Sequence, residues 1–450
     1  MKRSLAVLAV AVLAAGGWLG WKSSRLLPVG AGYLAKALCS EYFVAGRHDP
    51  ESILADVRDI DPTFAWVSYR LDPEAGRAIG YVGPGLAATT AVYRDGIGCT
   101  LAKGVQADKL EPLPGELSNA LGPGDPFPLL PPNPALERAL DEAFSEPESG
   151  SHRRTRAVVV LHRGRIAAER YAPGFDRDTP LIGWSMTKSI TNNLVGLLVA
   201  DGLLDPAARA AVPEWQADGD PRHGITLADL LQMSSGLDFE EVYGAGSKTT
   251  DMLFASYSAA AVAAEAPLAY APGARWHYSS GSTNILARIV RDAVGGSLQD
   301  VQRFTRERLL QPLGLASMVI EVDASGAQVG SSFSYATARD WARLGQFWLQ
   351  DGVWEGQRLL PEGWMEWSTT PAAAAPRGEY GAQFWLNAGR HGEHAPFAAL
   401  PRNMFYASGF NGQSVSVFPD QEIVVVRLGF TTDDSWNSEE FLVRVLAALD

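Results

Sequence analysis

The hydrophobic pattern places strands at both ends of the long C-terminal part of the chain and helices between them. In RAVVVLHRGRIAAERY (156–171) two short apolar runs flank His162-Arg163-Gly164-Arg165, with glycine at the turn, which predicts a β-hairpin. Near the end, QSVSVFPDQEIVVVRLG (413–429) predicts two more strands about Pro419-Asp420-Gln421. EEFLVRVLAALD (439–450) then sets Phe441, Leu442, Val445, Leu446 and Leu449 on one helical stripe. The stretch between is mostly helix and loop. The expected fold is therefore α/β of the α+β type. Strands from both ends form one antiparallel sheet with flanking helices, a mostly helical region is inserted, and a small N-terminal domain precedes it.

That N-terminal part divides by composition. Met1-Lys2-Arg3 precedes an apolar run from Leu5 to Trp21, followed by Lys22 and Arg25. Residues 1–25 read as a signal peptide or an uncleaved signal anchor, close to the roughly 20 residues of a membrane span. Val12-Leu13-Ala14 satisfies a small-residue cleavage rule, but apolar character runs on through Trp18 and Trp21, which favours the anchor. The chain is thus expected to be exported, periplasmic or extracytoplasmic, with the membrane a partner through this segment. Residues 26–110 read as a small domain, with strands in FAWVSYRLD (64–72) and ATTAVYRDGIGCTLA (88–102). They carry both cysteines, Cys39 and Cys99. An even pair in an exported chain suggests one disulfide; two separate buried thiols are the alternative. Prolines crowd residues 111–150, which read as a linker or semi-rigid wrap, and leave 151–450 as the main domain.

A formal net charge of −13 argues against nucleic-acid binding, which needs a basic face. Lysines are few, and one of them, Lys188, stands at the mouth of an apolar helix in GWSMTKSITNNLVGLLVA (183–200). If Ser185 begins the helix, it and Lys188, three positions on, share one face. A serine hydroxyl needs a base to become a nucleophile, and lysine serves only when partly neutral. Desolvation by the helix body and the positive helix N-terminus both disfavour its charge. The bland alternative is a serine cap beside a surface lysine. Two further segments supply partners. In PGARWHYSSGSTNILARIV (272–290), Tyr278 lies before a helix expected to start near Thr283, and a tyrosine beside a lysine can shuttle a proton. The alternative for Tyr278 is an ordinary aromatic anchor, with Ser280 or Ser282 capping the helix. In FYASGFNGQSVSVFP (405–419), Gly409 and Gly412 break a strand expected to resume beyond them, which signals close approach of another backbone or a ligand.

Ser-x-x-Lys early, Tyr-x-Ser in the middle and Gly-x-x-Gly near the end resemble the serine β-lactamase and penicillin-recognising superfamily, in its class C-like branch. SMTKS, LLQMSSGLDFEEVY (230–243), HYSSGSTN and GFNGQ are similar to the 6-aminohexanoate-dimer (nylon-oligomer) hydrolases and their relatives. The resemblance covers roughly 150–450. It implies a hydrolase acting on a small amide or ester through an acyl-enzyme on Ser185, with Lys188 and Tyr278 as the proton-transfer pair. The amides of Ser185 and Phe410 would form the oxyanion hole. Tyr243, Ser280, Gly409 and Asn411 would contact substrate. One departure stands out: Ala407-Ser408-Gly409 occupies the strand position where β-lactam binders carry Lys-Thr-Gly or His-x-Gly, so no cation is there to hold a carboxylate. A cell-wall D,D-peptidase or β-lactamase, and a catalytically idle peptidoglycan- or ligand-binding protein, are the alternatives.

Rival chemistries are thin. The histidines show no His-Glu-x-x-His spacing, and His391 and His394 in HGEH read as a solvated loop, so no metal and no cofactor is expected. GAGSKT (244–249) lacks the P-loop spacing, and no Gly-x-Ser-x-Gly elbow occurs.

Overall fold

A computed structural model describes residues 26–449 apart from 84–85, 119–120, 123, 125–126, 149, 245 and 391–394. The expected signal segment and the His391–His394 loop lie outside the described residues. Among those described, no helix is long and apolar enough to cross a membrane.

The chain begins with helix α1 (26–39) and helix α2 (Pro50–Ile60), which pack on an antiparallel meander. Its strands are β1 (Val67–Asp72), β2 (Arg77–Val82), β3 (Ala87–Arg94) and β4 (Gly98–Leu101). Asp49 caps α2 by accepting from the Glu51 amide, and Pro50 fits the first helical position. The strand expected from residue 64 begins at Val67 instead. Asp61 accepts from the Thr63 amide, so Pro62–Trp66 forms a helical turn first. Gly80 lets the backbones of β2 and α1 meet: a Cβ there would stand 2.2 Å from the Ala31 carbonyl oxygen. Ala31, Leu34, Leu54, Val57, Val67 and Val82 close this small core. Cys39 and Cys99 form a disulfide that ties the end of α1 to β4.

This module is bolted to the main domain by a buried ion pair. Glu321 is ion-paired with Lys36 at 2.7 Å and accepts hydrogen bonds from the Ser40 hydroxyl at 2.8 Å and from the Cys99 amide at 2.6 Å. Burial pulls the Lys36 pKa down, and Glu321 opposes it. Asp56 adds a half-buried node, 2.7 Å from Arg47 and 2.5 Å from Arg156.

Part of the expected linker is helix. Asn133 accepts from the amides of Ala135 and Leu136, Pro134 takes the first position, and α3 (Pro134–Phe144) follows. The proline density hid an Asn-Pro start signal. Leu136, Leu140 and Ala143 of α3 are buried in the same cluster as Phe441, Leu442 and Val445 of the last helix.

The main sheet is borne out. It contains β5 (Thr155–His162), β6 (Arg165–Tyr171), β7 (Trp385–Leu386), β8 (Phe405–Gly409), β9 (Gln413–Phe418) and β10 (Ile423–Gly429). Their order is β7-β8-β9-β10-β5-β6, antiparallel throughout, so the two ends of the chain meet where Val426 faces Val159. Alternation explains the unbroken apolar run of β5. Val158 and Val160 face α3 and the last helix, α7 (Ser438–Leu449), while Val159 and Leu161 face the larger core. In that core lie α4 (Thr187–Ala200), α5 (Ser280–Ala293) and α6 (Ala338–Leu349). The helical region of α4 and α5 sits between β6 and β7 in the chain, as the pattern predicts.

Replacing Cys39 and Cys99 together with alanine removes a covalent tie across a sequence separation of 60 residues. The loss is expected to reach roughly 4 kcal/mol on the chain-entropy model. Urea denaturation of the oxidised protein against the double variant measures it, and equal midpoints would refute the expectation.

Candidate active site

Ser185 is presented by a strained turn. Gly183 leaves a short strand by donating to the Ser334 carbonyl at 2.8 Å, and Met186 closes a helical turn back onto the Gly183 carbonyl at 3.1 Å. Between them Trp184 takes φ 47°, the left-handed region that costs a bulky residue of order 1–3 kcal/mol. Its ring is held against Phe333 and Phe410, at 6.0 and 5.8 Å between centroids. The turn runs into α4, so Ser185 precedes the helix rather than beginning it. The three-residue spacing to Lys188 still places the two side chains together.

Lys188 is 1% exposed. Its Nζ donates to Ser185 Oγ, Ser280 Oγ and the Ser331 carbonyl, each at 3.0 Å. It also lies 4.9 Å from the centre of the Tyr278 ring. Burial lowers its pKa to about 8, against a weaker opposing pull from the Glu241 carboxylate. The surrounding helix is buried from Thr187 to Leu198, and hydrogen bonds from its side chains fix it in place. Asn192 donates to Ser368 Oγ and the Ala382 carbonyl and accepts from Trp364 Nε1, while Ser189 donates to the Gln383 carbonyl. A helix so fixed cannot turn its lysine out to water.

Tyr278 is brought to the same spot by the loop before α5. Its hydroxyl is close enough to Ser185 for that contact to lower its pKa, but burial outweighs it and pushes the phenol well above the usual tyrosine range. The ring is wedged against Tyr380 and Trp385. The resting tyrosine is therefore neutral, and lysine is the group of this pair that titrates nearer neutrality. Helix α5 starts at Ser280, earlier than expected, because Ser279 caps it by accepting from the Ser282 amide. Neither Ser280 nor Ser282 is the cap, which frees Ser280 to face inward. Its hydroxyl donates to Glu241 Oε1 at 2.5 Å and its amide to Glu241 Oε2 at 2.7 Å. Tyr243, half exposed, donates to Glu241 at 2.8 Å, has its hydroxyl 3.2 Å from Ser280 Oγ, and stacks on Phe410.

The glycine-broken strand does not resume; it reverses. Strands β8 and β9 are a hairpin joined by a turn at Phe410–Gly412. Gly409 permits the approach to the serine turn, since a Cβ there would lie 2.1 Å from the Gly183 carbonyl oxygen. Gly409 thus acts through its missing side chain. Phe410 opens the turn, where an amide has no acceptor within its own helical turn. Asn411 is not brought to the site. It is buried at φ 63°, and its side chain donates to the Thr431 carbonyl. A left-handed position in a tight turn favours asparagine. Arg427, 1% exposed, holds the turn from below by donating to the carbonyls of Asn411 and Gly412, with Trp436 against its guanidinium.

The profile of the beta-lactamase family matches residues 138–448. The chain belongs to the beta-lactamase family. It is a serine hydrolase of that fold. A 6-aminohexanoate-dimer hydrolase from Paenarthrobacter ureafaciens is 25% identical over 343 residues, 70% of this chain and 82% of that one. The fold is shared with a family VIII carboxylesterase at a TM-score of 0.55 and 18% identity, covering 72% of this chain and 98% of that one. It is also shared with a penicillin-binding protein homologue from Caulobacter crescentus, at a TM-score of 0.52 and 17% identity over 71% and 99%. The match to this beta-lactamase family profile starts inside α3, so the module of residues 26–110 lies outside the matched region.

Sequence reasoning missed Glu241, Trp184, Arg427 and the Ser331 carbonyl. Glu241 had a signal, an acidic pair two positions before Tyr243. Trp184 and Ser331 had none, because backbone angle and a main-chain acceptor leave no trace in residue type. Among the described residues, no group of three or more His, Cys, Asp or Glu side chains is arranged to hold a metal ion.

Gly409→Ala is expected to push β8 away from Gly183 and lower kcat/KM about 100-fold, the scale of an ångström-sized misplacement. Ester hydrolysis by a variant whose melting temperature is measured alongside checks this. A folded variant with unchanged rate would contradict it.

Proposed function

We propose that the protein hydrolyses amides or esters through an acyl-enzyme on Ser185. One observation carries the reading: the buried Lys188 amine, with a pKa lowered to about 8, stands 3.0 Å from Ser185 Oγ. The neutral amine takes the Ser185 proton as Oγ attacks the carbonyl carbon. The oxyanion is received by the amides of Ser185 and Phe410. Tyr278, whose hydroxyl is in reach of Ser185 and whose ring lies beside Lys188, relays the proton to the leaving amine or alcohol as the carbon–heteroatom bond breaks. Water then attacks the acyl-enzyme, giving its proton back through the same pair, and the acid departs. Ser280 and Glu241 hold Lys188 in place.

The similarity to a 6-aminohexanoate-dimer hydrolase and the fold shared with a carboxylesterase support amides and esters as the substrate class. Ala407-Ser408-Gly409 puts no cation on the strand beside the serine, which favours substrates without a carboxylate there. Export is part of the proposal: the apolar segment at residues 5–21 and the Cys39–Cys99 disulfide both fit an oxidising compartment.

Intact-mass spectrometry after exposure to an active-site serine reagent is expected to give one adduct on wild type and none on Ser185→Ala; labelling that persisted would remove the reading. Lys188→Ala and Tyr278→Phe should each cost about 100-fold or more in kcat. For pH, the neutral amine is the active form, so kcat/KM rises as pH passes about 8. Glu241 favours the ammonium, so Glu241→Gln lowers the lysine pKa further and moves the acid limb to lower pH. A limb that moved the other way would reassign the base.

A further inference from the structure

A cleft of about 620 Å³ has Ser185 on its wall, within the range of small-molecule sites. Two thirds of its lining residues, 14 of 21, come from the N-terminal module, outside the part that matches the family. Val29 and Gly30 of α1, Val67 of β1, Val82 of β2 and the rim residues Trp66 and Leu86 face Trp184, Phe254 and Phe410 of the main domain. Among the described residues, Asp61 is the one carboxylate in the lining, and no lysine or arginine lines it. The rim is unusually apolar for a surface: Trp66 is 78% exposed and Leu86 70%. Tyr243 and Phe410, also exposed, border the same opening. Apolar side chains gathered round one concave opening mark a binding surface rather than scattered surface residues.

We propose that the N-terminal module is the binding wall for an apolar chain, and that the substrates are esters or amides carrying a long alkyl or similarly apolar tail. The inference rests on the acyl-enzyme reading, because it takes the reacting carbonyl to lie at Ser185. A module serving stability alone has no reason to hold these side chains apart. Here the Lys36–Glu321 and Asp56–Arg156 pairs fix its distance from the main domain, and the gap they leave leads to the nucleophile. A tail lying in that gap leaves water along Val29, Val67 and Val82, and its recognition needs no polar partner. Each methylene moved out of water is worth up to about fourfold in kcat/KM.

The test uses the full chain and two substrate series kept below their micelle concentrations. One is p-nitrophenyl esters from acetate to dodecanoate, which lengthens the acyl side; the other is alkyl acetates of increasing length, which lengthens the alcohol side. At least one series is expected to show kcat/KM rising steeply with length. Gly30→Phe fills the cleft with little strain, since a Cβ there meets only Val67 and Val82 methyls at 3.8 and 3.9 Å. It should lower the long-to-short rate ratio about tenfold or more, the worth of two methylenes. Leu86→Ser, on the exposed rim, should lower the ratio in the same direction, while Leu203→Ser, exposed elsewhere, should not. Two flat series in a protein whose Ser185 is still acylated by the acetate ester overturn the inference and leave the hydrolase reading standing. A length preference untouched by both Gly30→Phe and Leu86→Ser also overturns it. Absence of acylation by every ester removes the underlying reading as well.

Discussion

An amine sealed from water is the constraint on which the rest of this structure depends. Lys188 costs solvation at its position, and what compensates is a set of three fixed oxygens: two hydroxyls and a main-chain carbonyl. Each comes from a different part of the chain, at Ser185, Ser280 and Ser331. The requirement to bring them together explains features that look unrelated. Trp184 accepts a strained backbone so that the serine turn meets the lysine. Ser279 rather than Ser280 caps its helix, so that Ser280 faces inward. Helix α4 is packed on all sides, which holds the amine where it cannot regain water.

A second anchor lies between the N-terminal module and the main domain. Lys36 and Glu321 are both buried, and the carboxylate also takes hydrogen bonds from Ser40 and the Cys99 amide. Such a pair gives little net stability but fixes geometry, because breaking it leaves a charge stranded. It joins the main domain, which matches the beta-lactamase family, to a module that lies outside the match. A wall built by the module beside a serine presented by the main domain is a direct way to set what the site accepts, and the proposed apolar-tail specificity is of this kind.

The hairpin of β8 and β9 gives the same lesson at smaller scale. Gly409 lets two backbones touch, Asn411 tolerates the left-handed turn, and Arg427 pins the carbonyls beneath it. None of the three needs to meet substrate for the turn that carries Phe410 to be held beside the serine turn. Residues clustered in sequence around a glycine motif thus include several whose work is to hold the backbone.

The sequence by itself determined the layers and the reactive spacing. Period-two alternation in Thr155–His162 and Ile423–Gly429, and the helical stripe of the last helix, depend only on neighbours along the chain, as does the three-residue step from Ser185 to Lys188. Local pattern erred where a local signal was masked, as at Asn133-Pro134 inside a proline-rich stretch, and at Phe410–Gly412, where a broken strand and a hairpin look alike. Only the tertiary structure decided the Glu241 contact to Ser280, the main-chain acceptor at Ser331, the Lys36–Glu321 pair and the cleft above the serine. Those depend on which distant segments share a volume, and hydrogen-bond acceptance, desolvation and the shape of a gap are properties of that volume rather than of any stretch of residues.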